Sequence, residues 1–176
     1  MVQINESNMI FGDFEEDTIF QIEKSKLHNK IGNGIKVVEF VLLRNENELN
    51  FIEAKSSSPR PTKDNIVRFN EFIEEIVDKF IHSFNLFYST ILKRNKDYGE
   101  MNNNFFELDN SQTKLKFILV IKGHEIEWLL PISDDLKKKL SYQNTIWKSE
   151  VIVMNDKIAN KYNLVKEEKK KECSWQ

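Results

Sequence analysis

The sequence predicts an α/β fold, on three features. Two apolar runs flank a short polar turn in VVEFVLLRNENELNFIEAKSS, residues 37–57. A long amphipathic helix follows, and beyond it strand-like apolar runs alternate with helical patterns. At 176 residues, 40% of them hydrophobic, the chain has material for one core but not comfortably for two. Residues 1–165 are therefore read as one domain and the charged residues 166–176 as a tail that frays.

Taken in order, IFQIEK (19–24) reads as a short strand and SKLHNKI after it as a short helix or turn. GNG (32–34) breaks the chain before a strand over 36–43. RNENE (44–48) has the length of an ordinary hairpin turn, and the return strand covers about 49–55. Two prolines make SSSPRPT irregular, because each removes a ladder donor and fixes φ. A helix is expected over 64–94, where Phe69, Phe72, Ile73, Ile76, Val77, Phe80, Phe84, Phe87, Tyr88 and Ile91 recur at three- and four-residue steps. Residues 95–113 are polar and Asn-rich, hence a long loop. KLKFILVIK (114–122) is a strand, Ser133 caps a short helix over DDLKKKL, SEVIVMN (149–155) is a last strand, and DKIANKYNL is helical.

Composition narrows the function classes. A formal net charge of −2 gives no global basic field for gripping nucleic acid unaided. The single cysteine, Cys173, leaves no disulfide framework and no cysteine-based zinc site. The opening MVQINESNMIFGDF has neither a basic start nor a signal-like apolar run, and no stretch approaches the ~20 apolar residues of a membrane span. A cytoplasmic protein without a membrane partner is expected.

The hairpin carries the chemistry. Side chains alternate along a strand, so Leu49, Phe51, Glu53 and Lys55 share one face. A turn centred on Glu46 pairs Leu43 with Leu49, Val41 with Phe51, Glu39 with Glu53, and Val37 with Lys55. Opposed carboxylates repel, and burying them uncompensated costs several kcal/mol. Either that end of the face is solvated or a cation sits between them. Magnesium-like ions take one or two carboxylates plus water and phosphate oxygens, and Lys55 points toward whatever such an ion binds.

An acid, a hairpin of this length, then Glu53-Ala54-Lys55 and a long helix resemble the PD-(D/E)xK nuclease superfamily, over roughly residues 15–122. The dipeptide PD is absent, and glutamate stands where aspartate is commoner. The resemblance implies a restriction-endonuclease-like αβββαβ core, a mixed β-sheet flanked by helices, to which this chain adds a C-terminal strand and helix. It implies Glu39 and Glu53 as ligands of Mg2+ or Mn2+, with the Ala54 carbonyl as a third. Lys55 would orient the attacking water, and Glu23 would be the additional upstream acid, with Glu16 as its competitor. The implied activity is metal-dependent hydrolysis of phosphodiesters, DNA before RNA. A subunit of a defence or mobile-element system, with a partner protein supplying grip on DNA, fits the near-neutral charge. The alternative is a non-catalytic module of the same fold that binds a protein or nucleic acid.

Other patterns carry less. Arg60, Lys63 and Arg68 follow Lys55 closely and are candidates for phosphate contact, against the reading of a solvated loop. His28, His82 and His124 lack ligand spacing, no Gly-x-Ser-x-Gly elbow occurs, and GNGIK lacks P-loop spacing. The aromatic helix is core, with Trp128 and Trp147 beside it or at an edge. The runs Lys137–Lys139 and Lys169–Lys171 read as solvated faces.

Overall fold

Alternating apolar residues on both faces of the central hairpin require cover on both sides, and the computed structural model supplies it. The structure describes residues 1–32, 34–96 and 98–167. The predicted tail features beyond 167, including Cys173 and Lys169–Lys171, lie outside the described residues.

Strands β1 (Val2–Glu6) and β2 (Met9–Phe14) form a separate antiparallel hairpin. A five-stranded mixed sheet follows, in the order β3 (Ile19–Phe20), β4 (Phe40–Arg44), β5 (Glu48–Lys55), β6 (Lys114–Ile121) and β7 (Glu150–Asn155). The pairs β3–β4 and β4–β5 are antiparallel, and β6 and β7 continue parallel to β5. Between β3 and β4 lies the short helix α1 (Lys26–Ile31), capped by Ser25, whose hydroxyl accepts from the His28 N–H. Helix α2 (Ile66–Ile91) carries the chain from β5 to β6. After α3 (Asn103–Phe106), helices α4 (Ile126–Lys139) and α5 (Ser141–Trp147) connect β6 to β7, and α6 (Asp156–Lys161) follows.

Two cores sandwich the sheet. On one face Val41, Leu49, Phe51, Phe117 and Leu119 pack under α2 and α4. Phe51 is the hub, with its ring 5.6 Å from Phe87 and 5.5 Å from Phe117. On the other face Phe40, Leu42, Ile52, Ala54, Ile118 and Val120 pack under the β1–β2 hairpin and α6. There Phe11 meets Phe40 edge-on at 5.4 Å.

The hairpin register agrees with expectation from Leu43↔Leu49 to Val41↔Phe51, and Arg44↔Glu48 closes the turn. The expected strand over 36–43 is shorter, however, since β4 begins at Phe40. Residues 36–38 leave β5 because α2 takes their backbone. The His82 ring donates to the Lys36 carbonyl at 3.1 Å, and the Val38 N–H donates to Ser83 Oγ at 2.8 Å. The expected pairs Glu39/Glu53 and Val37/Lys55 are therefore not ladder pairs.

Helix α2 spans 66–91 within the expected 64–94, and Lys93 in the left-handed region ends it. The Arg94 and Lys93 N–H groups turn back to the Ser89 and Thr90 carbonyls, a Schellman arrangement. Strand β3 holds only two of the six residues expected to be extended, because Ile22–Lys24 form a 3-10 turn. The expected loop over 95–113 contains helix α3. Ser133 is no cap: it lies inside α4, which starts seven residues earlier and carries Pro131 within it. Leu129, Ile132 and Leu136 are buried at helical spacing, and that apolar face holds α4 together past the proline.

Candidate functional site

Strand β5 places Glu53 and Lys55 on the face that α2 covers, because both share the side of Phe51. Glu53 is 0% exposed. Its Oε1 accepts from Lys79 Nζ of α2 at 2.8 Å and lies 3.3 Å from Lys55 Nζ. Its Oε2 has no hydrogen-bond partner among the described residues. Burial pushes the Glu53 carboxyl up, against the two ammonium groups that favour its ionised form. Lys55 is less enclosed and reaches Glu75 Oε1 of α2 at 2.7 Å. Burial alone would lower its pKa, but the hydrogen bond to Glu75 and the charges of Glu53 and Glu75 outweigh burial and raise it.

Glu39 stands one residue before β4, and its Oε1 is 4.0 Å from Lys79 Nζ. The same ammonium thus faces both acids that the sequence singled out. Glu23 and Glu6 complete the group: one carboxylate oxygen from each of Glu6, Glu23 and Glu39 lies within 4.8 Å of the others. Burial holds the Glu39 carboxyl up at about 8, aided by its hydrogen bond with Glu23 and the charges of Glu53 and Glu23, with Lys79 opposing. The His28 ring ties the turn bearing Glu23 to the segment entering β4, with its nitrogens 2.9 Å from the Glu23 and Ile35 carbonyls.

The structure therefore groups Glu23 and Glu39 with Glu6, and sets Glu53 and Lys55 beside that group across Lys79; Glu53 is not one of the three clustered carboxylates. Glu16, the competitor of Glu23, is not in the group; it begins a separate 3-10 turn. The Ala54 carbonyl accepts from Ser7 Oγ at 2.9 Å, so one of its two lone pairs is engaged. Arg60 does not extend toward the acids: its guanidinium lies 3.4 Å from the ring centroid of Trp128, a cation–π contact. Lys63 and Arg68 are exposed. Trp147 packs beside α2 as expected, stacked on Tyr88 at 5.5 Å, whereas Trp128 sits with Arg60 and His124.

Three residues of the group escaped the sequence reading: Glu6, Glu75 and Lys79. Lys79 had a signal. It lies three residues after Ile76 and four before Ser83, within the buried stripe of α2, and a charge there needs a buried partner.

The donor set is all carboxylate and carbonyl oxygen, which suits a hard divalent cation. The unpartnered Glu53 oxygen and the raised Glu39 carboxyl both fit a group short of positive charge. No family model, curated protein or solved structure matches the chain, and no helix among the described residues is long and apolar enough to cross a membrane.

Proposed function

We propose that this chain is a metal-dependent phosphodiesterase of restriction-endonuclease-like fold, a nuclease acting on DNA before RNA. One observation carries the reading: Glu53 and Lys55, two residues apart on β5, face Glu39 across the shared Lys79 ammonium, and Glu39 in turn groups with Glu23. The sheet supports it too, with antiparallel β3, β4 and β5 followed by a helical crossover to parallel β6. In this chain the short helix α1 follows the first strand of that core instead of preceding it.

Glu39 and Glu53, with the Ala54 carbonyl, would hold Mg2+ or Mn2+, and Glu23 would add a further carboxylate. Such an ion polarises a phosphoryl oxygen and lowers the pKa of an attacking water. Glu53 fixes one side of Lys55, and Glu75 fixes the other. That leaves the ammonium positioned to orient the water and to meet charge developing on the phosphate. With a net charge of −2, the grip on nucleic acid falls to a partner protein, as in a defence or mobile-element complex.

A second reading has its own observation. Lys79 already faces Glu53 and Glu39, as an internal cation would in a catalytically silent module that binds a protein or nucleic acid. Cleavage assays with Mg2+ and Mn2+, on DNA and RNA and with the protein encoded beside it, separate the two. The nuclease loses turnover in Lys55→Ala while keeping Mn2+ binding, and loses both in Glu53→Ala. Cleavage surviving both substitutions, or no cleavage under any condition, favours the silent module.

A further inference from the structure

Glu6 lies outside the segment that carries the nuclease resemblance, on a hairpin that the resemblance does not include. Two side-chain contacts seat the turn of that hairpin. Ser7 and Asn8, both in the left-handed region, make the tight two-residue turn between β1 and β2. The Ser7 hydroxyl donates to the Ala54 carbonyl at 2.9 Å, and Lys122 Nζ donates to the Asn8 carbonyl at 2.5 Å. Both contacts seat the turn on the ends of β5 and β6 nearest Lys55. Glu6, the last residue of β1, is thereby carried to the group formed by Glu23 and Glu39.

The ordinary explanation for Glu6 is its ion pair with Lys24, at 2.7 Å. That pair contributes little, because Lys24 is 58% exposed and exposed pairs are screened. It also leaves unexplained why a third carboxylate stands within 4.8 Å of two others. An independent observation lies next to the cluster. Glu53, fully buried and sharing Lys79 with Glu39, has an oxygen without a partner.

We infer that Glu6 is a further carboxylate ligand of the divalent cation, delivered by the N-terminal hairpin, which makes that hairpin part of the metal site. The inference rests on the metal-dependent reading above. It assigns the β1–β2 hairpin a role beyond covering the second core: anything that shifts the hairpin changes metal affinity.

The test uses the full chain with Mn2+ alone as probe, following free Mn2+ by its electron paramagnetic resonance signal. Wild type binds, Glu39→Gln does not, Glu6→Gln binds about tenfold more weakly or worse, and Glu46→Gln, in the exposed β4–β5 turn, binds as wild type. Circular dichroism checks that each variant keeps its fold. Lys24→Met provides an independent arm, since it frees Glu6 from its competing ammonium. It tightens Mn2+ binding in the wild-type background and not in Glu6→Gln. Glu6→Gln binding as wild type while Glu39→Gln fails overturns the role of Glu6 and leaves the metal reading standing. Equal tightening by Lys24→Met in both backgrounds also overturns it, since the effect is then bulk charge. Wild type that binds no Mn2+ removes both.

Discussion

Lys79 and Glu53 form an ion pair inside the core: the ammonium is 2.8 Å from Glu53 Oε1, and the two residues are 9% and 0% exposed. Taking two such charges from water is costly, and the pair recovers that cost only while both members are present. Lys79→Met leaves the Glu53 carboxylate buried against Glu39, and is expected to destabilise the protein by about 3–5 kcal/mol in metal-free buffer. The double variant Lys79→Met/Glu53→Leu, which removes both charges, should recover most of that loss. Urea denaturation of the three proteins measures it. A double variant no more stable than Lys79→Met would mean that packing, and not charge, sets the effect.

Phe80 tests the other content of the same helix. It is fully buried, with its ring 5.1 Å from that of Phe117 on β6. Phe80→Ala removes that contact and leaves a cavity between α2 and the sheet, at a cost of ~3–5 kcal/mol. A near-wild-type urea midpoint would contradict the packing of α2 described above.

These two neighbours on α2 show what was legible in the sequence. The apolar stripe through Phe69, Ile73, Ile76, Phe80, Phe84 and Phe87 specifies which face of the helix is buried, because only that face can cover the sheet. The β4–β5 register was legible for a similar reason: a one-residue slip would turn Val41 and Phe51 to the wrong face. Where β4 starts was not legible. It depends on His82 and Ser83 capturing the backbone of residues 36–38, a tertiary event with no local signature. Pro131 followed by Ser133 imitates a helix start, and only the packing of Leu129 and Ile132 shows that α4 runs through. Glu6 was invisible because its hairpin turns on Ser7-Asn8, without the glycine that marks most such turns.

Gly12 connects the hairpin to the site. Its φ is +117°, and a Cβ there would stand 2.6 Å from the Val2 carbonyl oxygen, on the backbone of the paired strand. Gly12→Ala therefore strains β2 and pushes β1 away. The expected result is a lower melting temperature together with weaker Mn2+ binding, because Glu6 moves with β1. Differential scanning fluorimetry with and without Mn2+ reads both. If melting falls while the Mn2+-induced shift keeps its full size, the hairpin and the metal site are uncoupled.

Glu39 makes stability and metal binding depend on pH in opposite senses. Its carboxyl is held at about 8 in the folded protein, against an ordinary value of 4.5. Between those values the folded state keeps a proton that the unfolded chain has released, so stability from this group is complete below about pH 4.5 and is lost as pH rises through 8. Buried Glu53, whose carboxyl is also pushed up, contributes with the same sign. Metal-free wild type should therefore lose stability between pH 5.5 and 8.5, and Glu39→Gln should lose less. A cation must displace the Glu39 proton, so Mn2+ affinity should rise over the same interval, with proton release visible as a buffer-dependent heat of binding. Urea midpoints and titration calorimetry at the two pH values check both trends. Stability independent of pH in wild type, or Mn2+ affinity that does not rise with pH, would show that Glu39 is ionised throughout and holds no proton for the metal to displace.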